Sequence, residues 1–155
     1  LELQGVSLSK LLFTEVKQRD PKLSIVDFKR KLDEACAILK IDKSFTERDV
    51  NVGVSGGEKK RAEVLQLLIL RPSCAIFDEL DSGLDVDSLR LLSEAIQQLR
   101  GSAFSALIIT HYPRILEYVR PDFVHILSDK KIAASGSHEL AGEVERQGYA
   151  KILVK

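Results

Sequence analysis

Two carboxylates stand side by side at the end of an apolar run: Cys74-Ala-Ile-Phe77 is followed at once by Asp78-Glu79. Adjacent residues on a strand point to opposite faces, so such a pair can divide its work. One of the two can hold Mg²⁺ while the other orients a water. Asp81 and Asp85 follow within Asp81-Ser-Gly-Leu-Asp85, and negative charge this dense is costly without a cation nearby. Upstream, Ser55-Gly56-Gly57-Glu58 leads into Lys59-Lys60-Arg61. A Ser-Gly-Gly turn opening a helix offers backbone N–H groups and the helix dipole to an anion such as phosphate. The same residues also spell a capping box, with Ser55 as N-cap and Glu58 its partner, which leaves the basic run as a solvated face. Downstream, Leu107-Ile-Ile ends in Thr110-His111. A histidine at such a strand tip can donate to a developing phosphate charge. His125 and His138 have no such setting: the first is expected mid-strand in a structural role, the second at a helix start.

These groups need a scaffold, and the chain alternates in a way that supplies one. Residues 1–52 read as a mainly helical subdomain: Leu11, Leu12 and Val16, then Phe28, Leu32, Ala35, Cys36 and Leu39, recur at helical spacing on either side of Asp20-Pro21. Residues 53–155 read as a helix followed by an α/β core. A helix is expected over 56–70, with Ala62, Leu65, Leu68 and Ile69 inward and Arg71-Pro72 as its stop. Strands buried on both faces are expected at 74–78 and 106–110, with a helix over 87–99 between them. A short helix over 113–119, a hairpin of 123–127 with 131–134, and a helix over 137–147 complete the pattern. Strand–helix alternation indicates α/β with a mainly parallel sheet.

The bulk properties are those of an ordinary globular domain. The 155 residues are 45% apolar and 30% charged, with 23 basic and 23 acidic side chains. Zero net charge argues against broad electrostatic binding to nucleic acid, which needs a clustered basic face. No apolar stretch approaches the roughly 20 residues that span a bilayer, and no signal peptide is visible. Cys36 and Cys74 sit in apolar contexts and are expected as two reduced, mostly buried thiols.

The order of motifs resembles the C-terminal half of an ABC-type ATPase: signature, Walker B, D-loop, switch histidine. Within that class, Val50-Asn-Val-Gly-Val-Ser-Gly-Gly-Glu-Lys-Lys-Arg61, Asp78-Glu-Leu-Asp-Ser-Gly-Leu-Asp-Val-Asp87, Ile109-Thr-His-Tyr-Pro-Arg-Ile-Leu116, Pro121-Asp-Phe-Val-His125 and Glu145 to Tyr149 look like the SufC family of iron–sulfur cluster assembly ATPases. Most ABC ATPases carry Gln after the signature glycines, a shorter link to the D-loop, and Asp after the switch histidine; this chain has Glu58, an extra Asp81, and Tyr112. The resemblance implies a partial P-loop NTPase-like domain that uses ATP and Mg²⁺. It assigns Mg²⁺ to Asp78, the attacking water to Glu79 and the γ-phosphate to His111. It also implies that Ser55, Gly56 and Gly57, with Glu58 beside them, serve a nucleotide held by a second subunit, and that Asp85 meets that subunit's phosphate loop. SufB-like and SufD-like scaffold proteins and a nucleotide-dependent homodimer are the implied partners, and the cytoplasm or a plastid stroma the implied location. Competing readings are a membrane transporter's ATP-binding subunit and a non-catalytic partner-binding module.

Two departures qualify the resemblance. None of the nine glycines precedes a lysine, so no Gly-x-x-x-x-Gly-Lys phosphate loop occurs in these residues. The chain therefore reads as part of a longer protein, and alone it is expected to show no ATPase activity. Leu80 also stands where a small polar residue is expected. Finally, the helix carrying Lys60 returns directly into the acidic strand, so Lys60 is expected to reach a carboxylate of Glu79 or Asp81.

Overall fold

Five helices begin on a side-chain cap, and those caps set the element boundaries. The computed structural model describes residues 2–112 and 114–149. Ser7 caps α1 (Leu8–Arg19), Ser24 caps α2 (Ile25–Ile38), and Ser55 caps α3 (Gly56–Leu70). Asp85 caps α4 (Val86–Gln97). In each case a side-chain oxygen accepts an N–H of the first turn that the helix itself leaves unsatisfied. The strands are β1 (Leu3–Ser7), β2 (Asp49–Val50), β3 (Cys74–Asp78) and β4 (Ser105–Ile109), followed by α5 (Arg114–Val119), β5 (Val124–Ser128) and β6 (Lys131–Gly136). The last helix, α6 (His138–Gln147), is capped by Ser137.

Two compact units meet in the chain at Ile109 and Thr110. This division by contacts differs from the one placed at residue 52 by composition and pattern, because α1 and α2 both pack on α3. The first unit is centred on α3, which also packs on α4. Leu12, Leu39, Val64, Leu65 and Leu92 are at most 1% exposed and form its centre. Phe28, Leu32, Ala35, Cys36 and Leu39 are all buried, as their spacing demands. On α3, Val64 joins Ala62 and Leu65 inside, whereas Leu68 and Ile69 are only half-buried. A short 3₁₀ turn (Lys43–Glu47) leads from α2 toward the signature.

The helical N-terminal third also contains β1 and β2, an antiparallel pair not foreseen from the sequence. Leu3-Gln-Gly-Val-Ser lacks a clean alternation, and Gly5 takes φ +77°, donating its N–H to the Asp49 carboxylate at 2.8 Å.

β3 and β4 pair in parallel register, from Cys74 opposite Ser105 to Asp78 opposite Ile109. Neither strand is buried on both faces, contrary to expectation. In β3 only Ala75 and Phe77 are inside, while Ile76 is 69% exposed. β4 has no buried residue, and Leu107 is 53% exposed. A sheet two strands wide covered on one side leaves the alternate side chains bare. The thiols split accordingly: Cys36 is buried, with burial pushing its pKa up, and Cys74 on the open face is exposed.

In the second unit, β5 and β6 form the expected hairpin. Asp129 and Lys130 both have positive φ, the geometry of a two-residue turn that follows strand twist. His125 Nδ1 lies 2.8 Å from the Ser135 hydroxyl on the facing strand, a structural contact. His138 is the first residue of α6. The expected start of α5 at residue 113 lies outside the described residues.

Candidate functional site

The capping box predicted at Ser55 is present in full. Ser55 Oγ accepts the Glu58 N–H at 3.2 Å, and a Glu58 carboxylate oxygen accepts the Ser55 N–H at 2.8 Å. Arg48 lies 3.6 Å from the same carboxylate. The Ser55 N–H chiefly, with its hydroxyl, holds the Glu58 carboxyl below the usual range. The helix offers no acceptor to the N–H groups of Gly56 and Gly57, its first two residues.

Among the described residues, nothing requires glycine at either position. A Cβ built on Gly56 or Gly57 meets no atom within 4 Å, and neither residue has a positive φ. With no side chain at either position, the two N–H groups at the start of α3 are open to close approach.

α3 runs away from this turn, and β3 returns, carrying Asp78 and Glu79 to its carboxyl end, both exposed. The Glu79 N–H donates to the Ile109 carbonyl at 2.9 Å, extending the ladder one step past Asp78. Glu79 itself has φ +49°, a left-handed conformation that costs a side-chain-bearing residue about 1–3 kcal/mol. A turn follows, closed by Ser82 N–H to Glu79 O at 3.1 Å and Leu84 N–H to Asp81 O at 3.3 Å. Leu80 and Asp81 are buried beneath it, so Leu80 is a core residue of this link. Gly83 takes φ +71°, which favours glycine there.

Lys60 does reach this link, but through different atoms from those expected. Its Nζ donates to the carbonyls of Glu79 at 3.0 Å, Leu80 at 2.8 Å and Ser82. An ammonium has three donors; here all three are taken by main-chain oxygens, leaving none for a carboxylate.

Asp85 acts as the N-cap of α4. Its carboxylate accepts the Ser88 N–H at 2.7 Å and the Ser88 hydroxyl at 3.2 Å, and these bonds, the N–H first, hold its pKa down. Arg61 Nη2 donates to the same hydroxyl at 3.4 Å, so α3 is tied to the first turn of α4. Sequence reasoning treated Arg61 as part of a solvated run and missed this link; its half-burial inside an otherwise basic stretch is visible only in the fold.

Ser55, Gly56, Gly57, Glu58, Asp78, Glu79 and Asp85 all lie in the first unit, and the Lys60 and Arg61 contacts connect their elements. His111 belongs to the second unit, where its ring lies 4.0 Å from the Tyr112 ring at 43°.

Among the described residues, no group of three or more His, Cys, Asp or Glu side chains is arranged to hold a metal ion. Asp78 stands exposed at the carboxyl end of a parallel strand, an oxygen donor of the kind a hard cation takes. No helix described is long and apolar enough to cross a membrane.

No protein-family model matches the chain. Comparison with solved structures finds the dimeric ABC transporter cassette MJ0796, with TM-score 0.71 at 12% identity over 88% of this chain and 59% of that one. The ATP-binding cassette MJ1267 aligns with TM-score 0.68 at 19% identity over 99% of this chain and 64% of that one. These establish the fold: an α/β ABC cassette architecture. Among curated proteins, a probable ABC transporter ATP-binding protein of Streptococcus pyogenes serotype M3 is 49% identical over 97% of this chain and 60% of its own length. A probable ATP-dependent transporter of Synechocystis is 47% identical over 96% and 60%. The probable ATP-dependent transporter SufC of Escherichia coli is 41% identical over 96% and 62%. The chain thus spans about three-fifths of the length of the curated relatives it matches, and within that span it is similar to ABC ATP-binding proteins of the SufC type.

Proposed function

We propose that this chain is the signature- and Walker B-bearing part of an ATP-hydrolysing subunit that serves iron–sulfur cluster assembly. The observation that carries the reading is the opening of α3. Two glycines there are required by neither φ nor packing, and a salt-linked capping box leaves their N–H groups toward an incoming phosphate. Identity to SufC of 41% over 96% of the chain supports the family assignment of that phosphate to ATP.

Within this reading, Ser55, Gly56 and Gly57 face the nucleotide of a second copy, with Glu58 fixing the turn rather than touching the ligand. Asp78 is the residue to hold Mg²⁺, which when bound would neutralise charge on the phosphates. Glu79 orients the attacking water and accepts its proton. His111 donates to the γ-phosphate. Asp85 fixes the start of α4, which positions the D-loop against the second subunit. The partners are a second copy, in a nucleotide-dependent homodimer, and soluble SufB-like and SufD-like scaffolds, in the cytoplasm or a plastid stroma. The division into a partner-docking helical subdomain over 1–52 and a core over 53–155 belongs to the same proposal.

Several relatives carry transporter names, which favours a second reading, in which the subunit drives a membrane partner. Affinity purification of the longer gene product separates the two: soluble scaffolds support the first reading, an integral membrane protein the second. For the chemistry, Glu79→Gln in that product keeps ATP binding and abolishes turnover, because an amide accepts no proton. Near-normal turnover by this variant removes Glu79 from the role.

A further inference from the structure

Thr110, His111 and Tyr112 come directly after β4 in the chain, and the hydroxyl of the first holds both main-chain groups of the third. Thr110 Oγ1 accepts the Tyr112 N–H at 2.9 Å and donates to the Tyr112 carbonyl at 3.1 Å. Short hydroxyl side chains make turns of this kind with the main chain two residues on. Successive side chains on an extended strand point to opposite faces, so neighbours such as His111 and Tyr112 can meet only where the chain has left that geometry. Here they do meet: the ring centroids are 4.0 Å apart, with the planes at 43°. Tyr112 is 53% exposed, so core packing does not account for a large aromatic at this place. What its ring touches is the imidazole.

We propose that Tyr112 is a positioning residue for His111: its ring, held in place by the Thr110 hydroxyl, fixes the orientation of the imidazole where the chain leaves β4. An exposed side chain ordinarily hops between rotamers in picoseconds to nanoseconds. A donor that is ordered only on meeting its ligand loses that freedom at each encounter. An imidazole stacked beforehand has already lost it, which is what orientation contributes to catalysis. The contact is made ring to ring and consumes no hydrogen bond, so it restrains the imidazole without altering what its nitrogens can donate. Because the contact is aromatic, phenylalanine is expected to serve in place of tyrosine, and an aliphatic side chain is not. The stack is a property of this chain; its bearing on turnover rests on the ATPase reading above, in which His111 donates to the γ-phosphate.

NMR of the unaltered 155-residue chain tests the geometry without any variant: nuclear Overhauser contacts between the His111 and Tyr112 rings are expected, and their absence overturns the proposal. Side-chain scalar couplings then read the His111 χ1 rotamer. Tyr112→Phe and Thr110→Ser are expected to keep a single rotamer, whereas Tyr112→Leu and Thr110→Val are expected to let it average. An imidazole equally ordered in every variant overturns the proposal, since its orientation would then come from other neighbours. In the longer gene product, Tyr112→Leu is expected to lower kcat about fivefold, the worth of one aromatic contact, with KM for ATP within about twofold of wild type. Tyr112→Phe restores the rate. In a His111→Ala background, Tyr112→Leu is expected to change nothing further. An equal loss in both backgrounds would mean that Tyr112 acts independently of His111, and the proposal would fall. No turnover by the unaltered longer product, with the ring contacts and rotamer pattern as expected, rejects the ATPase reading and retains Tyr112 as the residue that orients His111.

Discussion

Ile76 and Phe77 are neighbours on β3 with opposite fates, 69% and 5% exposed, and that contrast gives the sharpest test of the sheet. Truncating Phe77 to alanine removes a buried ring, and such changes cost about 3–5 kcal/mol. The ring already borders a groove of about 430 Å³ between α3 and β3, lined also by Val64, Leu67 and Leu70. With space beside it, the site can relax, so the lower end of the range is expected, about 3 kcal/mol. Ile76→Thr keeps the β-branched shape that suits a strand and changes a largely solvated side chain, so it should fall within about 0.5 kcal/mol of wild type. Urea unfolding followed by circular dichroism reads both. With a slope of roughly 2 kcal/mol per molar, Phe77→Ala lowers the midpoint by about 1.5 M, while Ile76→Thr barely shifts it. Equal losses for the two variants would mean that β3 is covered on both faces after all, and the account of an open sheet face would fall.

Ser55→Ala removes the acceptor of the Glu58 N–H and should cost about 1 kcal/mol of stability, the usual worth of an N-cap, read in the same unfolding experiment. Asp85 and Glu58 both have carboxyl pKa values held down in the folded chain, from ordinary values of 3.8 and 4.5. Groups of this kind contribute fully above their unfolded pKa, and that contribution is lost as pH falls through the folded one. Acid titration should therefore show a stability loss beginning near those ordinary values, with Asp85→Asn flattening part of the slope; an unchanged slope would refute the Asp85 cap as its source. Calorimetric titration of this chain with Mg-ATP should detect at most very weak binding and no turnover, since no phosphate loop occurs in it; a micromolar dissociation constant would mean the site is built differently.

Helices were legible because their signals are local. Ser24 and Ser55 each cap where a hydroxyl precedes an apolar-periodic run, and one face of α2 is buried residue by residue as its spacing indicates; the cap at Asp85 was not foreseen. Strand burial was not legible, because Cys74-Ala-Ile-Phe77 states only which side chains tolerate burial. Whether Ile76 meets a neighbour depends on how many strands and layers are present, and β3–β4 is two strands wide. The β1–β2 pair escaped notice for the converse reason: its two residues at Asp49–Val50 are too few to show any period. Types and spacing singled out Ser55 to Glu58, Asp78, Glu79 and Asp85 as candidates, and the fold ties the elements carrying them together through Lys60 and Arg61.

What side-chain chemistry alone hid was the backbone's share. A lysine near two acids invites an ion pair, yet carbonyl direction is set by φ and ψ, and Glu79 lies in a region that residues with a side chain seldom visit. Once that one residue turns left-handed, the oxygens of Glu79, Leu80 and Ser82 converge, and the ammonium is drawn to them instead. The left-handed Glu79 and the placement of Lys60 are therefore parts of one arrangement, in which three neighbouring carbonyls of the acidic turn face a single ammonium.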